Sequence, residues 1–353
     1  MTQPAFSICI PNYNYANYVG ETIQSVLDQT CQDFEIIVAD NASTDGSVAV
    51  VENIRDDRIR LVLNQYNIGF APNLQRASES ARGKYMLMLS SDDRMRPDAL
   101  ETYRQVLLDL GETAQRCILF ADVLTIDGHG RNLSGPVPQP AYYRELPGLK
   151  HSLPNGTEYD LYDGWDVLKT VTQRLCAAGP FLSMLYPRAM FEAVEGYNSV
   201  HLTDPDTHFA HKLLALGSHV VWVRQTLFDY RVHQNNQLSL QKSQSSIKKP
   251  IDKYLYTLEI SDHLLDKLGL ERQDLIEAFI YRYCVNESLH YLAHGNYAQA
   301  WKGLMFGLTV YPSAVLRTPR ACALAALLAT GPLAAPATRL ARNIFRRLGG
   351  QDE

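Results

Sequence analysis

Two short apolar runs of the sequence end abruptly in carboxylates. FEIIVA is followed by Asp40, and YMLML is followed by Ser90 and Ser91 and then by Asp92 and Asp93. A buried carboxylate is costly unless hydrogen-bond donors or a cation satisfy it. Mg²⁺ and Mn²⁺ are cations that prefer such oxygen ligands. The two acidic positions therefore predict a site for a polar ligand and a divalent cation.

Alternating strand and helix patterns fill the first 125 residues around these positions. Apolar runs rich in Ile and Val predict strands at 6–10, 34–39, 59–63, 85–89 and 118–126. Helices are predicted from about Asn17, over 47–54, over 71–81, and from Pro97. This alternation predicts an α/β fold with a mostly parallel sheet flanked by helices. Ligands of such sheets bind beyond the carboxyl ends of the strands, where both acidic positions are expected.

The rest of the chain changes character several times. Five prolines between 128 and 160 predict a loop or insertion near the site, and regular structure resumes at about 162–232. The polar stretch that follows resembles a linker, and helical spacing dominates afterwards. We therefore expect a first domain at 1–235, a linker at 236–250 and a helical C-terminal region at 251–353.

Within the helical region, two sets of apolar residues share helix faces. They are Leu275, Phe279 and Tyr283, and Ala300, Leu304 and Leu308, which predict two helices that can pair as a hairpin. The stretch ACALAALLATGPLAAPATRLARNIFRRL at 321–348 is apolar and then basic. This stretch has two alternative interpretations. One is a pair of helices on a membrane surface, and the other is a terminal helix packed on the protein. No apolar run is long enough to predict a spanning helix.

The bulk composition excludes several classes of protein. A net charge of −5 and a pI near 6.1 argue against a general nucleic-acid binder. Six cysteines without a CxxC pair predict reduced thiols rather than a disulfide or zinc framework. The first residues lack the basic start and apolar stretch of a signal peptide. We therefore expect a cytoplasmic protein.

Longer stretches around the acidic positions resemble the inverting glycosyltransferases of family 2. They are SICIPNYNYANYVGETIQSVLDQTCQDFEIIVADNASTDGS at 7–47, NIGFAPNLQRASESARGKYMLMLSSDDRMRPDAL at 67–100, GYNSVHLTDPDTHFAHKLLALG at 196–217 and LFDYRVHQNNQLS at 227–239. The motifs occur in the family's order and at family-like spacing. The resemblance implies the GT-A fold, with a nucleotide-binding half at 1–125 and an acceptor half at 126–235.

The resemblance also implies a nucleotide-sugar donor site. Tyr13, in the turn with Pro11 and Asn14, matches an aromatic residue that packs on the nucleotide base, which a flat ring covers at small entropic cost. A turn aromatic without ligand is the alternative. Asp40 matches the carboxylate that accepts the base N–H of a pyrimidine nucleotide, and we expect a UDP- or dTDP-sugar. The donor sugar itself cannot be read from the sequence.

A second loop is implied to lie near the nucleotide. Asn67 and Gly69 belong to this loop, and Asn73 and Arg76 belong to the helix that follows. Entry into that helix explains Gly69 equally well. Asp45 has two alternative roles, capping of the following helix and contact with the ligand.

The metal site implied by the family consists of Asp92, Asp93 and His233, with Asp92 also contacting the donor. Ser90 replaces the first carboxylate of the usual Asp-x-Asp motif. One or two carboxylates suffice for Mg²⁺ or Mn²⁺ when phosphates and water complete the coordination. Capping of the helix after Pro97 is the alternative for the two acids.

The general base implied by the family is Asp206, counted eleven residues back from Gly217, with Asp204 as the second choice. Pro205 stands where an acidic residue is frequent, and helix capping is the alternative role. A carboxylate within hydrogen-bond reach can take the proton of an acceptor hydroxyl. One base without a nucleophilic carboxylate implies a single displacement that inverts the anomeric configuration.

Three functional hypotheses follow. The first is a glycosyltransferase that extends a saccharide or polyprenyl-linked acceptor in surface polysaccharide biosynthesis, at the inner face of the cell membrane. The second is a nucleotidyltransferase, although PNYNYAN lacks the Gly-rich basic loop of that class. The third is an inactive scaffold, which Ser90 and Pro205 keep open. P-loop enzymes and dehydrogenases are disfavoured because neither GxxxxGK[ST] nor GxGxxG occurs.

Overall fold

The computed structural model describes residues 3–198, 204–233 and 248–331. Its strands are β1 (Phe6–Asn12), β2 (Phe34–Asp40), β3 (Ile59–Leu63), β4 (Tyr85–Met88), β5 (Arg94–Met95), β6 (Cys117–Asp127), β7 (Asn132–Val137), β8 (Gly148–Ser152), β9 (Glu158–Asp163), β10 (Leu185–Pro187) and β11 (His219–Val232). Helices of the first part are α1 (Val19–Leu27), α2 (Ser47–Asn53), α3 (Phe70–Glu79), α4 (Ala99–Leu110), α5 (Gly164–Arg174), α6 (Arg188–Ala193) and α7 (Pro205–Ala215).

The strands form one mixed sheet in the order β3-β2-β1-β4-β10-β6-β11-β9-β8, with β5 beside β11 and β7 beside β6. Strands β1 to β4 pair in parallel, as the alternating pattern predicts. Beyond β4, the short strand β10 runs antiparallel to both neighbours, and β9 is antiparallel to β8 and β11. The expected parallel arrangement therefore describes the first four strands, and the remainder is mixed.

Helices cover both faces of the sheet, because β1, β2 and β4 are apolar on both sides. On one face, Ile23 of α1 and Tyr103 of α4 join Ile8 and Leu87 in the main hydrophobic cluster. Burial of such side chains contributes about 1.5–3 kcal/mol each. This face fixes the positions of the strand ends.

The opposite face is covered by α3 and α7. The thiol of Cys9 in β1 donates to the carbonyl of Ala77 in α3 at 3.7 Å. Further along, the Phe209 ring of α7 packs edge-on to the Tyr186 ring of β10, with centroids 5.0 Å apart. Helix α7 therefore lies over the sheet at β10, next to the strand that leads to the Asp92 turn.

The register of β10 aligns β4 and β6 across the sheet. Leu185 of β10 pairs with Leu87 of β4 on one side and with Leu119 of β6 on the other. Leu87 and Leu119 therefore lie at the same level, at a separation of two strand spacings, about 10 Å. Strand β4 ends one residue later, at Met88, whereas β6 continues through Asp122.

The proline-rich stretch 128–160 is not the loop that its composition predicts. Strands β7, β8 and β9 lie within or overlap it, and β8 and β9 extend the sheet beyond β11. Pro136 is tolerated because β7 pairs on one side with β6 and therefore acts as an edge strand. The strand signal was hidden because β7 and β8 are largely exposed and lack the apolar alternation of a half-buried strand.

The chain consists of two compact units. The first contains Met1–Val171 and Cys176–Leu240, and the second contains Thr172–Leu175 and Gln241–Glu353. The second unit contains α8 (Lys248–Glu259), α9 (Asp262–Leu268), α10 (Arg272–Phe279), α11 (Glu287–Ala293), α12 (Tyr297–Val310), α13 (Pro312–Arg317) and α14 (Pro319–Ala329). Most of the predicted linker at 236–250 lies outside the described residues, and α8 begins within its last three positions. The boundary of the first domain remains a prediction.

Inside the second unit, the predicted faces are buried. Leu275, Phe279 and Tyr283 are all in the interior, and a π-helical segment at Ile280–Asn286 connects α10 to α11. Ala300 and Leu304 of α12 are buried too. The basic part of the stretch 321–348 lies outside the described residues. Among the described helices, none combines the length and the apolarity needed to cross a membrane.

Candidate active site

A carboxylate and an imidazole meet beyond the carboxyl end of β4. Asp92 lies in the turn between β4 and β5, and His233 follows the last residue of β11. Strand β5 pairs antiparallel with β11, so that Arg94 lies opposite Asp229. This pairing brings the end of β11 alongside the Asp92 turn. As a result, Nε2 of His233 lies 3.0 Å from Oδ2 of Asp92.

A buried arginine holds this turn in place. Arg231 is 1% exposed, and its Nε donates to the carbonyl of Asp92 at 2.7 Å. Its backbone N–H donates to Oδ1 of Asp93 at 2.8 Å, and its Nη2 donates to Glu21 at 2.6 Å. The guanidinium also lies 5.1 Å from the centroid of the Tyr18 ring. The side chain therefore ties α1, the acidic turn and β11 together.

Aromatic rings enclose the imidazole of His233. The rings of Tyr18 and Tyr15 have centroids 4.6 and 5.8 Å from that of His233. The pKa of Tyr230 is raised to about 12. The largest cause is burial, and the negative charges of Asp93 and Asp92 add to it. The Tyr230 hydroxyl therefore stays protonated at neutral pH. The site combines an apolar wall with a small number of polar groups, as ligand sites commonly do.

Asp93 differs from Asp92 in its surroundings. Its carboxylate accepts the backbone N–H of Arg231 and a hydrogen bond from the Ser90 side chain. Burial, followed by the charge of Asp92, raises the pKa of the Asp93 carboxyl well above its ordinary value. These contacts engage Asp93 in the protein interior. Its expected role as a metal ligand remains a prediction, and positioning of the turn fits its contacts better.

The fit of a divalent cation can be tested on these side chains. Within the ranges that the structure describes, no three His, Cys, Asp or Glu residues cluster as a complete metal site. Asp92 and His233 nevertheless place one oxygen and one nitrogen side by side, with side chains 11% and 7% exposed. Mg²⁺ and Mn²⁺ can use one or two protein ligands when substrate phosphates supply others. The pair fits a cation that binds together with a diphosphate.

The Asp40 carboxylate lies at the end of β2, as predicted, and is 2% exposed. Its Oδ2 accepts bonds from Nδ2 of Asn12 at 2.7 Å and from the Ser43 hydroxyl at 2.6 Å, and its Oδ1 accepts from the Ser43 N–H at 2.8 Å. A carboxylate has about four acceptor positions. Three are engaged here, and capacity for one further donor remains.

The turn after β1 presents Tyr13 to solvent. Pro11 belongs to β1 itself rather than to the turn, and Tyr13 is 42% exposed. Asn14 has a positive φ of 59°, and its Oδ1 accepts the N–H of Thr44 at 2.8 Å. Asn14 therefore shapes the turn that carries the Tyr13 ring. The ring is free to cover a flat ligand group.

The loop before α3 is organised by Asn41, which directly follows the last residue of β2. Nδ2 of Asn41 donates to Oδ1 of Asn67 at 2.9 Å and to the carbonyl of Gly69 at 3.1 Å. Gly69 has a φ of 94°, which favours glycine. Asn73 is buried, and its Nδ2 donates to the carbonyl of Ala39 at 3.0 Å. These amides hold the loop against β2, whereas Arg76 is exposed.

The candidate bases lie at the start of α7. Asp204 occupies the N-cap position without a side-chain capping bond, Pro205 follows, and Asp206 lies in the first turn. One turn later, the Phe209 ring stacks on Tyr197, with centroids 4.1 Å apart. Burial and then the neighbouring Tyr186 are the main causes of the raised pKa of Tyr197, and the charge of Asp206 adds a smaller contribution. The assignment of the base remains a prediction.

Asp122 is an acidic residue of the same region that the sequence interpretation missed. It lies in β6 between Ala121 and Val123, which belong to the main hydrophobic cluster, so its side chain points to the opposite face. Its Oδ1 accepts the indole N–H of Trp222 at 2.7 Å. Burial raises the pKa of the half-buried carboxyl above its ordinary value. The signal that could have identified Asp122 in the sequence is its position as a single acidic residue inside the apolar run ILFADVLTI.

The comparisons with known proteins agree with this architecture. Residues 7–147 match the model of Glycosyl transferase family 2. The putative teichuronic acid biosynthesis glycosyltransferase TuaG of Bacillus subtilis is 35% identical over 109 residues, which are 30% of this chain and 43% of that protein. The chondroitin synthase of Escherichia coli is 28% identical over 182 residues, which are 45% of this chain and 26% of that protein.

A solved structure resembles the whole chain. The crystal structure of S. aureus TarS 1-349 in complex with UDP-GlcNAc has a TM-score of 0.59 and 15% sequence identity, covering 99% of this chain and 93% of that one. The chain has the GT-A fold, and its residues 7–147 form a family 2 glycosyltransferase domain. The expected family and fold are therefore confirmed. The matches to the two named sequence relatives cover less than half of each relative's length.

Proposed function

We propose that this protein is an inverting glycosyltransferase of surface polysaccharide biosynthesis that uses a UDP- or dTDP-sugar. One observation carries the proposal. Nε2 of His233 lies 3.0 Å from Oδ2 of Asp92, and Asp92 follows a strand of the family 2 glycosyltransferase domain. The relatives support the pathway class through their names, teichuronic acid biosynthesis glycosyltransferase and chondroitin synthase. The complex of TarS with UDP-GlcNAc supports a nucleotide-sugar donor.

The donor is held in this proposal by the ends of β1 and β2. The remaining acceptor capacity of Asp40 receives the base N–H, and the exposed Tyr13 ring covers the base. Asn14 shapes the Tyr13 turn, and Asn67 and Asn73 fix the loop and helix that flank β2. The pocket therefore selects a pyrimidine base before the sugar is engaged.

Asp92 and His233 would hold the metal ion. A bound Mg²⁺ or Mn²⁺ would stabilise the negative charge that develops on the departing nucleoside diphosphate. The chain's own contribution is the fixed orientation of both ligands by Arg231, together with the aromatic wall that excludes water from His233. Asp93 positions the turn through its bond with the Arg231 N–H.

Asp206 takes the proton from the acceptor hydroxyl, with Asp204 as the second choice. The deprotonated oxygen attacks the anomeric carbon from the face opposite the diphosphate, the bond to the diphosphate breaks, and the configuration inverts. Asp122 binds a neighbouring hydroxyl of the acceptor, because its half-buried carboxylate lies on the face of the sheet on which α7 packs. The acceptor is a saccharide or a polyprenyl-linked saccharide, reached at the inner face of the cell membrane.

The test is a panel of UDP- and dTDP-sugars with and without Mn²⁺, in which thermal shift and nucleotide release are both measured. A donor present at about 100 times its Kd adds roughly 2.7 kcal/mol of stability. We expect a shift and metal-dependent nucleotide release with at least one donor. The proposal is wrong if no nucleotide-sugar in the panel shifts the melting temperature and none is turned over.

Ser90 supports a second candidate, an inactive scaffold. Its hydroxyl occupies the first position of the metal motif and bonds with Asp93 instead of offering a carboxylate. A scaffold of this kind keeps donor binding and loses turnover. Thermal stabilisation by a nucleotide-sugar without nucleotide release, at any Mn²⁺ concentration and with any saccharide acceptor, would favour it.

A further inference from the structure

Helix α12 of the second unit has an unusual outward face. Tyr297, Trp301 and Met305 follow one another at four-residue spacing and are 39%, 42% and 40% exposed. Residues four apart lie on one side of a helix, so these side chains form a continuous apolar stripe. The solvent-facing side of a helix is normally polar. The Tyr297 hydroxyl also donates to the Leu328 carbonyl of α14. Trp301 and Met305 give the remainder of this exposed surface, which we call the α12 stripe.

The opposite side of α12 already accounts for the packing of the helix. Ala300 and Leu304 are buried. A Cβ placed on Gly307 would lie 2.9 Å from the thiol of Cys284, which shows how closely the two segments approach. The helix therefore has a complete inward face, and the α12 stripe is additional to it.

The basic composition of the sequence that contains α12 identifies the occupant of the stripe. From Ser288 to Gln351 the sequence contains no Asp or Glu, although the whole chain has 38 acidic and 33 basic residues. The same stretch carries Lys302, Arg317, Arg320, Arg339, Arg342, Arg346 and Arg347. Lys302 is exposed beside Trp301 on α12, and Arg317 and Arg320 are exposed on α13 and α14. A cationic region with exposed aromatic side chains matches an anionic phospholipid surface.

We infer that the α12 stripe docks the protein on an anionic phospholipid membrane, with Trp301 entering the headgroup region and Lys302 pairing with lipid phosphate. Tryptophan and tyrosine suit this depth because one end of each side chain is apolar and the other is polar. A second copy of the chain fits less well, because self-association through this face would bring two regions of like charge together. The inference deepens the membrane part of the proposed function and does not depend on sugar transfer.

The experiment uses the full chain and vesicles of two compositions, phosphatidylglycerol with phosphatidylcholine in equal parts, and phosphatidylcholine alone. We expect co-sedimentation with the anionic vesicles, weakened by 0.5 M salt and weaker still for the neutral vesicles. Trp301→Ala should lower the partition coefficient roughly tenfold or more. Lys302→Gln should lower it about fivefold, because one basic residue near such a surface contributes about that factor.

Two further measurements keep the inference falsifiable. Leu258→Ala removes a side chain of α8 that is 51% exposed and should leave vesicle binding unchanged. Brominated lipid should quench the tryptophan fluorescence of the native protein, and Trp301→Phe should bind normally but lose most of that quenching, because Trp222 is fully buried and Trp165 is half-buried. Equal binding to neutral vesicles, no vesicle binding, or quenching that survives Trp301→Phe would each overturn the inference. Nucleotide release, measured in parallel without vesicles, tests the proposed transfer reaction separately.

Discussion

Nε2 of His233 lies 3.0 Å from Oδ2 of Asp92, although 141 positions separate the two residues in the chain. The contact depends on a two-residue strand, β5, that pairs with the far end of β11. Both side chains are largely buried, and both belong to elements that Arg231 anchors. The pair is thus a fixed arrangement of two potential ligands.

Replacement of either member of this pair should reduce metal-dependent turnover. We expect Asp92→Asn to lower kcat by about 10²–10³-fold, since the developing charge on the diphosphate loses its counter-charge. His233→Ala should act in the same direction and raise the Mn²⁺ concentration needed for half-maximal rate. His129→Ala, at an exposed turn position, is the control and should leave that concentration unchanged. Unaltered metal dependence in both site variants would show that the ion binds elsewhere.

Asp93 offers a contrast with its neighbour. Its carboxylate bonds with the Arg231 N–H and Ser90, so Asp93→Asn should lower the melting temperature and reduce turnover through the geometry of the turn. The Mn²⁺ concentration for half-maximal rate should change less than in Asp92→Asn. A larger shift of that concentration for Asp93→Asn than for Asp92→Asn would assign Asp93 as the principal ligand.

Asp206→Asn should separate donor binding from transfer. The amide keeps the size of the side chain but cannot take a proton, and loss of a general base costs about 10²–10⁴-fold in rate. We expect an unchanged thermal shift with the donor and a large loss of kcat. Asp204→Asn is the matched variant, one position before Pro205. If Asp206→Asn transfers sugar at the normal rate while Asp204→Asn does not, the base is Asp204.

Asp122→Asn should affect the acceptor more than the donor. The carboxylate keeps one partner in Trp222 and faces the side of the sheet on which α7 packs. Loss of a hydrogen bond to a charged group costs about 1.5–3 kcal/mol, so the KM for the acceptor should rise at least about tenfold. Donor KM and metal dependence should stay as in the native enzyme. Equal changes in the KM of donor and acceptor would point to a general disturbance of β6 instead.

Sequence patterns predicted the first four strands and helices well, because β1, β2 and β4 are apolar on both faces and the helices between the strands have clear periodicity. They also placed Asp40 and Asp92 correctly at strand ends. The pairing of β5 with β11 was not predictable, since two residues carry no periodic signal. Asp122 was missed for a related reason. A lone acid in an apolar strand has meaning only once the fold shows which face of the sheet it lies on.

Arg231 should prove to be the residue on which the stability of the site depends most. It is 1% exposed and donates to the Asp92 carbonyl and to Glu21, whose side chain is 44% exposed. Leaving the buried carbonyl unpaired costs about 1–3 kcal/mol, and we expect Arg231→Ala to lower the free energy of unfolding by about that amount in urea titration. Arg131→Ala is the control, because that side chain is 76% exposed in its pair with Asp127 and should contribute little to stability. Similar losses for the two variants would contradict the anchoring role, whereas a loss confined to Arg231→Ala, together with a higher Mn²⁺ requirement, would connect the fold of the turn directly to its chemistry.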